Sequence, residues 1–168
     1  MAEQIDEKTI ENMKLEYNAL RNEIVERIGL RQQMLSITLT VTGVVLGFGV
    51  TNGTIALILP PLILFLVSAW AQNDLRIRDA AIHIREEIEA HVDGLQWEAR
   101  IQEEREKTKS RNWRRTLLSH GGIFISAQLI AVLVGITQYG GSDQEKILMA
   151  VDAVSILTTL ILLRAARR

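Results

Sequence analysis

The sequence contains no cysteine, only two prolines, and few aromatic residues, which make up 5% of the chain. Without cysteine there are no disulfides, no thiolate nucleophiles and no cysteine-ligated zinc sites. Charged residues form 23% of the sequence, yet residues 34–72 contain none. Soluble amphipathic helices mix charged and apolar residues at a period of about 3.6. A long block without charge instead indicates membrane-spanning helices.

Two apolar blocks are each long enough for a pair of such helices. The first, residues 34–72, is interrupted by the turn-forming sequence TNGT at 51–54, and the second, residues 116–163, by GGSDQ at 140–144. Each half has about 17 residues or more, near the lower limit for a helix that crosses a bilayer. The sequence therefore predicts an all-α integral membrane protein with four transmembrane helices. The other interpretation, two buried hairpins of a soluble protein, would leave too little remaining chain to cover them.

The distribution of basic residues predicts the orientation. Arginines flank the outer ends of both blocks, whereas the two short connections contain no Arg and one Lys, Lys146. These arginines are Arg27, Arg31, Arg76, Arg78, Arg111, Arg114, Arg115, Arg164, Arg167 and Arg168. Because basic flanks stay on the cytoplasmic side, we predict a multi-pass membrane protein with both termini cytoplasmic. Trp70 and Trp113 then lie at the inner membrane interface and Tyr139 at the outer one.

This orientation divides the chain into five parts. Residues 1–33 form a cytoplasmic amphipathic helix, 34–72 the first transmembrane hairpin, 73–115 a cytoplasmic helical hairpin with its apex at Asp93-Gly94, 116–163 the second transmembrane hairpin, and 164–168 a basic cytoplasmic tail. The cytoplasmic helices are predicted to form a coiled-coil-like bundle. The first helix should contribute a narrow apolar seam and continue without a break into the first span. The seam residues are Ile10, Met13, Tyr17, Leu20, Ile24 and Ile28.

Small residues and prolines mark candidate packing and bending positions in the spans. Small residues recur four positions apart in two of the spans, a spacing that favours close helix packing. They are Gly43 and Gly47 in the first span, and Ala127, Ala131 and Gly135 in the third. This pattern fits a partner helix of the same chain or of another copy. Pro60 and Pro61 remove two backbone donors, so we expect a kink in the outer half of the second span. Such a kink either is purely structural or shapes a cavity or gate.

Asp152 is the charged residue that lies deepest in a predicted span. It follows Lys146 by six residues, which places it about 9 Å below the outer end of its helix. An ionised carboxylate facing lipid is unfavourable. Asp152 is therefore either protonated and hydrogen-bonded, or in contact with water. In a symmetric oligomer the second state would form a ring of carboxylates that favours cations. Asp152 is thus the candidate pore residue.

The sequence offers no catalytic motif. There is no phosphate-binding loop and no nucleophile–base spacing, so we predict no enzyme, no cofactor and no metal site. His83, Glu87 and His91 stand four residues apart, but His83 lies off the apolar face and His91 at its border, which indicates a solvated surface. A net charge of −1 without a basic patch argues against nucleic-acid binding. The expected partners are the lipid bilayer and further copies of the chain.

The sequences EYNALRNEI (residues 16–24) and RIGLRQQML (residues 27–35) lead directly into the first transmembrane hairpin. In this architecture the chain resembles the SMODS- and SLOG-associated two-transmembrane effectors of bacterial antiviral and nucleotide-signalling defence operons. The resemblance covers about the first half of the chain. This sequence differs in having two hairpins and no recognisable ligand-sensing domain. The resemblance implies an effector in the bacterial inner membrane that disrupts this membrane or conducts ions when an associated sensor triggers it. It transfers no functional residues.

Two functions from different classes fit these features. In the first, the chain is a homo-oligomer that forms a regulated pore or ion channel, with the cytoplasmic bundle as assembly and gating element. In the second, it is a non-conducting membrane anchor or scaffold whose cytoplasmic bundle recruits a soluble protein partner. The embedded acid favours the pore, whereas the lack of other polar residues in the spans favours the anchor. Transport by alternating access is a weaker third interpretation, since the two hairpins share no repeated sequence.

Overall fold

The regular elements of the described part of the chain are all helices. The computed structural model describes residues 7–92, 94–116 and 121–166, with the backbone alone for residue 105 and residues 108–116. Its helices are α1 (Glu7–Gly49), α2 (Gly53–Ala56), α3 (Leu59–His83), α4 (Trp97–Thr116), α5 (Gly122–Thr137) and α6 (Asp143–Ala165). A π-helical turn, Ile84–Ile88, extends α3. The predicted all-α class is confirmed for these ranges, which contain no strand.

Three helical stretches are long and apolar enough to cross a membrane, where the sequence predicts four spans. They are α1, the stretch Gly53–Ile88 and α6. The fourth predicted span corresponds to α5, whose described part has 16 residues. At 1.5 Å per residue this part is about 24 Å long, short of the roughly 30 Å of a hydrocarbon core. Residues 117–120, which precede it, lie outside the described residues.

Helix α1 runs without interruption from the charged N-terminal part into the first apolar block, as predicted. Five seam residues, Ile10 to Ile24, are partly or fully buried, and Ile24 is the most buried of them. Ile28 differs from the prediction, because 45% of its surface is exposed. At this level α1 is held to α3 by polar side chains: Arg27 bonds Asn73, and Arg31 bonds Asp74.

The predicted cytoplasmic hairpin corresponds to the end of α3 from residue 73 onward, the π-helical turn and α4. We call these segments, together with residues 7–33, the charged arm. The chain turns between Glu89 and Gln96, and Gly94 has a φ of +91°, a conformation that side chains other than glycine rarely adopt. Asp93, the other residue of the predicted apex, lies outside the described residues, as does the side chain of Trp113. Arg21 of α1 bonds Glu98 of α4 at 2.8 Å and covers the ring of Trp97.

The two prolines begin a helix and do not kink one. Pro60 and Pro61 occupy the first turn of α3, after a short connection at Leu57 and Ile58. The first backbone N–H groups of any helix lack partners within it, so proline at the start removes donors that the helix does not use. The helix is therefore interrupted at Leu57 and Ile58, before the two prolines, and α3 itself is a continuous helix.

The helices of the two apolar blocks pack around a common core. We call residues 34–72 and 121–163 the apolar bundle. Its core lies between α1, α3, α5 and α6 and is formed by Leu35, Leu59, Ile63, Val67, Trp70, Ala71, Phe124, Ala127, Ala131 and Leu163. Trp70 and Phe124 meet edge to face, with ring centroids 6.1 Å apart. This core joins the two predicted hairpins into one packed unit.

The outer surface of the apolar bundle is also apolar. Exposed large apolar side chains occur on each of its four longer helices: Ile37, Leu39, Val44, Phe48, Leu62, Phe65, Leu129, Ile130, Leu133, Ile136, Ile147, Val151, Val154, Leu157 and Ile161. Several buried side chains are polar instead: Thr38, Gln128, Asp152, Ser155 and Thr159. Soluble proteins bury apolar residues and seldom expose apolar patches of this extent. The arrangement is compatible with a bundle surrounded by lipid.

Candidate functional site

Helix α6 carries its polar residues on the face that points into the apolar bundle. Asp152, Ser155 and Thr159, which we call the α6 stripe, are 1%, 2% and 0% exposed. Positions three and seven residues apart lie on one side of an α-helix. The exposed sides of the same helix carry Ile147, Val154 and Leu157. The polar side of α6 is therefore its protein-facing side, as expected for a helix in lipid.

Gln128 connects this stripe to two other helices. The side chain of Gln128, in α5, is fully buried, and its Nε2 donates to Thr159 Oγ1 and to the carbonyl oxygen of Pro60, each at 3.0 Å. Its Oε1 is buried and accepts no hydrogen bond from the described residues. One amide thus joins α3, α5 and α6 at one depth of the bundle. The amide also contributes a free acceptor to the interior.

Asp152 lies closer than Ser155 and Thr159 to the connection between α5 and α6. It precedes Thr159 by seven residues on the same helix face, a distance of about 10 Å along the axis. Neither of its carboxylate oxygens has a hydrogen-bond partner among the described residues. A buried ionised carboxylate without a partner is unfavourable by several kcal/mol. Chemically, the side chain is suited to hold a proton or to receive a cation.

The position of Asp152 does not match a ring of carboxylates between subunits. Such a ring requires side chains on the surface of each bundle, and Asp152 is 1% exposed within a single chain. Within one chain Asp152 therefore does not reach the surface of the bundle, and the ring of carboxylates stays a prediction. The carboxylate faces its own α6 stripe and the helices packed against it. Any water or ion that reaches Asp152 must enter the bundle of one subunit.

The two predicted groups of small residues lie in different surroundings. Ala127, Ala131 and Gly135 of α5 are all buried, and a Cβ atom at Gly135 would lie 2.4 Å from Cδ2 of Leu57. Gly135 therefore allows a close approach that no larger residue permits. Gly43 and Gly47 of α1 are exposed, and nothing lies within 4 Å of a Cβ atom built at either. They contribute no packing within the described chain.

A group of polar contacts, the clasp, joins α1 to α3 where the charged arm meets the apolar bundle. The Asn73 side chain is 6% exposed, donates from Nδ2 to the carbonyl oxygen of Arg27 at 2.7 Å, and accepts from the Arg27 guanidinium. Arg31 bonds Asp74 at 2.7 Å and its guanidinium stacks over Trp70, 5.2 Å from the ring centroid. Separation of α1 from α3 at this level must break these contacts.

Sequence reasoning found Asp152 but missed Gln128, Ser155 and Thr159. The spacing of Asp152, Ser155 and Thr159 places them on one face of a helix, and this spacing could have predicted that the three side chains form one polar stripe. Gln128 has no such signal, because a single amide in an apolar segment gives no information about its neighbours. The described residues contain no group of three or more side chains suited to hold a metal ion.

Comparisons with protein-family models, with curated proteins and with solved structures find no match for this chain. The class of the protein therefore follows from the fold. It is a helical protein with three helices that are long and apolar enough to span a membrane. Its distinguishing site is a buried line of polar side chains that ends at an unpaired carboxyl.

Proposed function

We propose that the protein is a homo-oligomeric inner-membrane protein that forms a regulated, cation-selective pore. In this proposal all four apolar helices cross the bilayer, and both termini and the charged arm are cytoplasmic. Conduction follows the α6 stripe inside the subunit and passes Asp152. The resemblance of residues 16–35 to membrane effectors of bacterial defence operons points to the same class of activity.

The observation that carries this proposal is the buried, unpaired carboxyl of Asp152 at the end of the α6 stripe. Acidic residues inside membrane proteins generally serve ion or proton pathways, because their desolvation is otherwise unfavourable. The stripe supplies hydroxyl oxygens at Ser155 and Thr159, and Gln128 adds a buried amide oxygen. Oxygen atoms of this kind replace part of the hydration shell of a cation.

The described arrangement corresponds to the closed state of the proposed pore. Leu57 fills the space beside Gly135, and the α6 stripe is sealed from the surface. Opening must therefore separate α6 from α3 or α5 and admit water to the stripe. The clasp joins α1 to α3 through Asn73 and Asp74, so a movement of α1 caused by a trigger would be transmitted to α3 through these contacts.

The anchor function is the second candidate, and one observation favours it. The charged arm has a groove of about 360 Å³ near its turn, lined by Arg85, Glu89, Leu95, Ala99, Arg100 and Glu103. Trp97, at the start of α4, is 52% exposed. An exposed aromatic residue beside a groove with charges of both signs suits a soluble protein partner. In this function the apolar bundle only holds the arm at the membrane.

Cation flux in vesicles tests the pore. Reconstituted protein should pass K⁺ or H⁺, and Asp152→Asn should reduce that flux by about tenfold or more, as expected when an acidic site is neutralised. Asp143→Asn is the matched control, since Asp143 begins the same helix with an exposed side chain bonded to Lys146. The control should conduct like the wild type, and both variants should keep their oligomer size.

Full flux in a folded Asp152→Asn variant would contradict the proposed route. Absence of flux from wild-type vesicles, together with absence of toxicity on expression in cells, would contradict the pore itself. In that case capture of a specific soluble protein that is lost on Trp97→Ala would support the anchor.

A further inference from the structure

The 43-residue helix α1 has a second face that its own chain leaves uncovered. Ten residues on this face, which we call the exposed α1 stripe, are all exposed: Leu15, Asn18, Asn22, Val25, Gly29, Gln32, Ser36, Thr40, Gly43 and Gly47. At 100° per residue they fall within about 100° of one another, and the centre of this face lies about 130° around the helix from the centre of the buried seam. The stripe is about 48 Å long.

No residue of this stripe is charged, although the helix around it is highly charged. Between Glu7 and Arg31 the helix carries ten charged side chains, and those from Leu15 onward lie outside the stripe. An exposed helix face in water normally carries charged residues. The stripe carries amides and Val25 in its charged-arm half, and glycine, serine and threonine in its apolar half. Neither water nor lipid explains this composition.

The glycines of the stripe have no function within the chain. Gly29, Gly43 and Gly47 lie in the helix interior, where glycine is less favourable than alanine by about 1 kcal/mol each. No atom lies within 4 Å of a Cβ built at any of them. By contrast, Gly49, Gly53 and Gly135 are all required by close neighbours. The open space beside the stripe is therefore suited to the backbone of another helix.

We propose that the exposed α1 stripe is the interface with α1 of a second copy of this chain, in parallel orientation. From Leu15 to Ser36 the spacing alternates three and four, the heptad spacing of a coiled coil, with Asn22 at an a position and Val25 at a d position. Asparagine at a positions pairs with itself across a parallel dimer and fixes its register. This inference rests on the oligomeric part of the proposed function.

Two further features select a parallel second copy over another partner. The composition of the stripe changes from amides to small residues where α1 enters the apolar bundle. In a second copy in the same membrane, α1 has the same change of composition at the same depth, so like residues lie beside like residues in a parallel pair. Arg21 and Glu26 flank the stripe at positions g and e, which face each other across a parallel pair with opposite charge, and Arg21 also bonds Glu98 of its own chain. In the apolar half, Gly43 and Gly47 allow the close contact typical of paired transmembrane helices.

Disulfide cross-linking in native membranes tests the interface, since the chain has no cysteine. Val25→Cys and Gly43→Cys should form dimers about tenfold faster than Leu30→Cys and Phe48→Cys, because effective concentration is high only at an interface. The controls are 47% and 63% exposed and lie about 140° around the helix from the test positions. Equal rates at test and control positions would overturn the proposed interface.

The oligomeric state of variants provides a second measurement. Gly43→Leu should reduce the dimer fraction in native mass spectrometry, because the larger side chain separates the two helices, whereas Val44→Leu should not. The space beside Gly43 is open within the chain, so this variant should fold. A wild-type oligomer without preferential cross-linking would refute the interface and leave the proposed oligomer intact. A wild-type protein that is monomeric at every concentration would refute both.

Discussion

For single residues, burial of a carboxyl without a hydrogen bond reduces stability unless the group carries a proton or binds a cation. Asp152 is in this situation, with both oxygens buried and unpaired among the described residues. Gln128 is partly unsatisfied in the same way, because its amide nitrogen donates two hydrogen bonds while its buried oxygen accepts none from the described residues. Both residues therefore lower the stability of the folded protein. A protein that served only as a membrane anchor would have no use for such buried, unpaired polar atoms.

Replacement of Asp152 by an apolar residue should make the protein more stable. We expect Asp152→Leu to raise the free energy of unfolding in detergent by about 1–3 kcal/mol, because apolar replacements of buried ionic groups are often stabilising. Thermal unfolding measures this change. Asp143→Leu should change stability little, because Asp143 is exposed. A marked loss of stability in Asp152→Leu would indicate that the native carboxyl has a hydrogen-bond partner.

For secondary-structure elements, packing in the apolar bundle depends on where glycine meets a neighbour. Gly135 of α5 accepts Leu57, from the connection between α2 and α3, into the space where a Cβ would lie. Gly49 and Gly53 similarly bring the end of α1 and the start of α2 against Ala56 and Gln138. These contacts close the end of the bundle that is opposite to the charged arm.

Alanine substitutions should separate the buried glycines from the exposed ones. Gly135→Ala should lower the unfolding temperature and cost about 1–3 kcal/mol, because the added methyl group overlaps Leu57. Gly43→Ala should leave the stability of the monomer unchanged or raise it by up to about 1 kcal/mol through helix propensity. Thermal unfolding of both variants at a protein concentration that keeps them monomeric provides the comparison. Equal effects would contradict the described packing of α5.

The positions of the main helices follow from the sequence, whereas the interior contacts do not. Charge-free blocks and turn sequences locate α1, α3 and α6, because the cost of burying charge in an apolar region is large and local. Whether Pro60 begins or bends a helix depends on the break at Leu57 and Ile58, which no proline pattern specifies. The bonds from Gln128 to Thr159 and Pro60 join residues distant in sequence, so only the packed structure reveals them.

For the whole molecule, the described arrangement separates a charged arm from an apolar bundle with an apolar surface. The clasp at Asn73 and Asp74 lies at the boundary between the two. Arg31 stacks on Trp70 at this boundary, as expected where an aromatic residue meets the polar membrane interface. This separation defines the level at which a bilayer surface would lie.

Labelling of introduced cysteines tests the proposed orientation. Asn52→Cys and Ser142→Cys lie in the two exposed connections at the closed end of the bundle, and Gly94→Cys lies in the turn of the charged arm. A membrane-impermeant maleimide added to intact cells should label the first two and label Gly94→Cys only after lysis. Labelling of Gly94→Cys in intact cells, with protection of the other two, would reverse the orientation.

The continuity of α1 gives the molecule a mechanical property. From Glu7 to Gly49 the helix contains no proline and no break, so its two halves turn and slide together as one rod. A torque applied to the first turns of α1, by a binding protein or by α1 of a second copy, is transmitted to Gly47 because no break in the helix lies between them. In the proposed orientation, a movement imposed on the charged half of α1 would become a rotation of its apolar half, and no flexible linker separates the two halves.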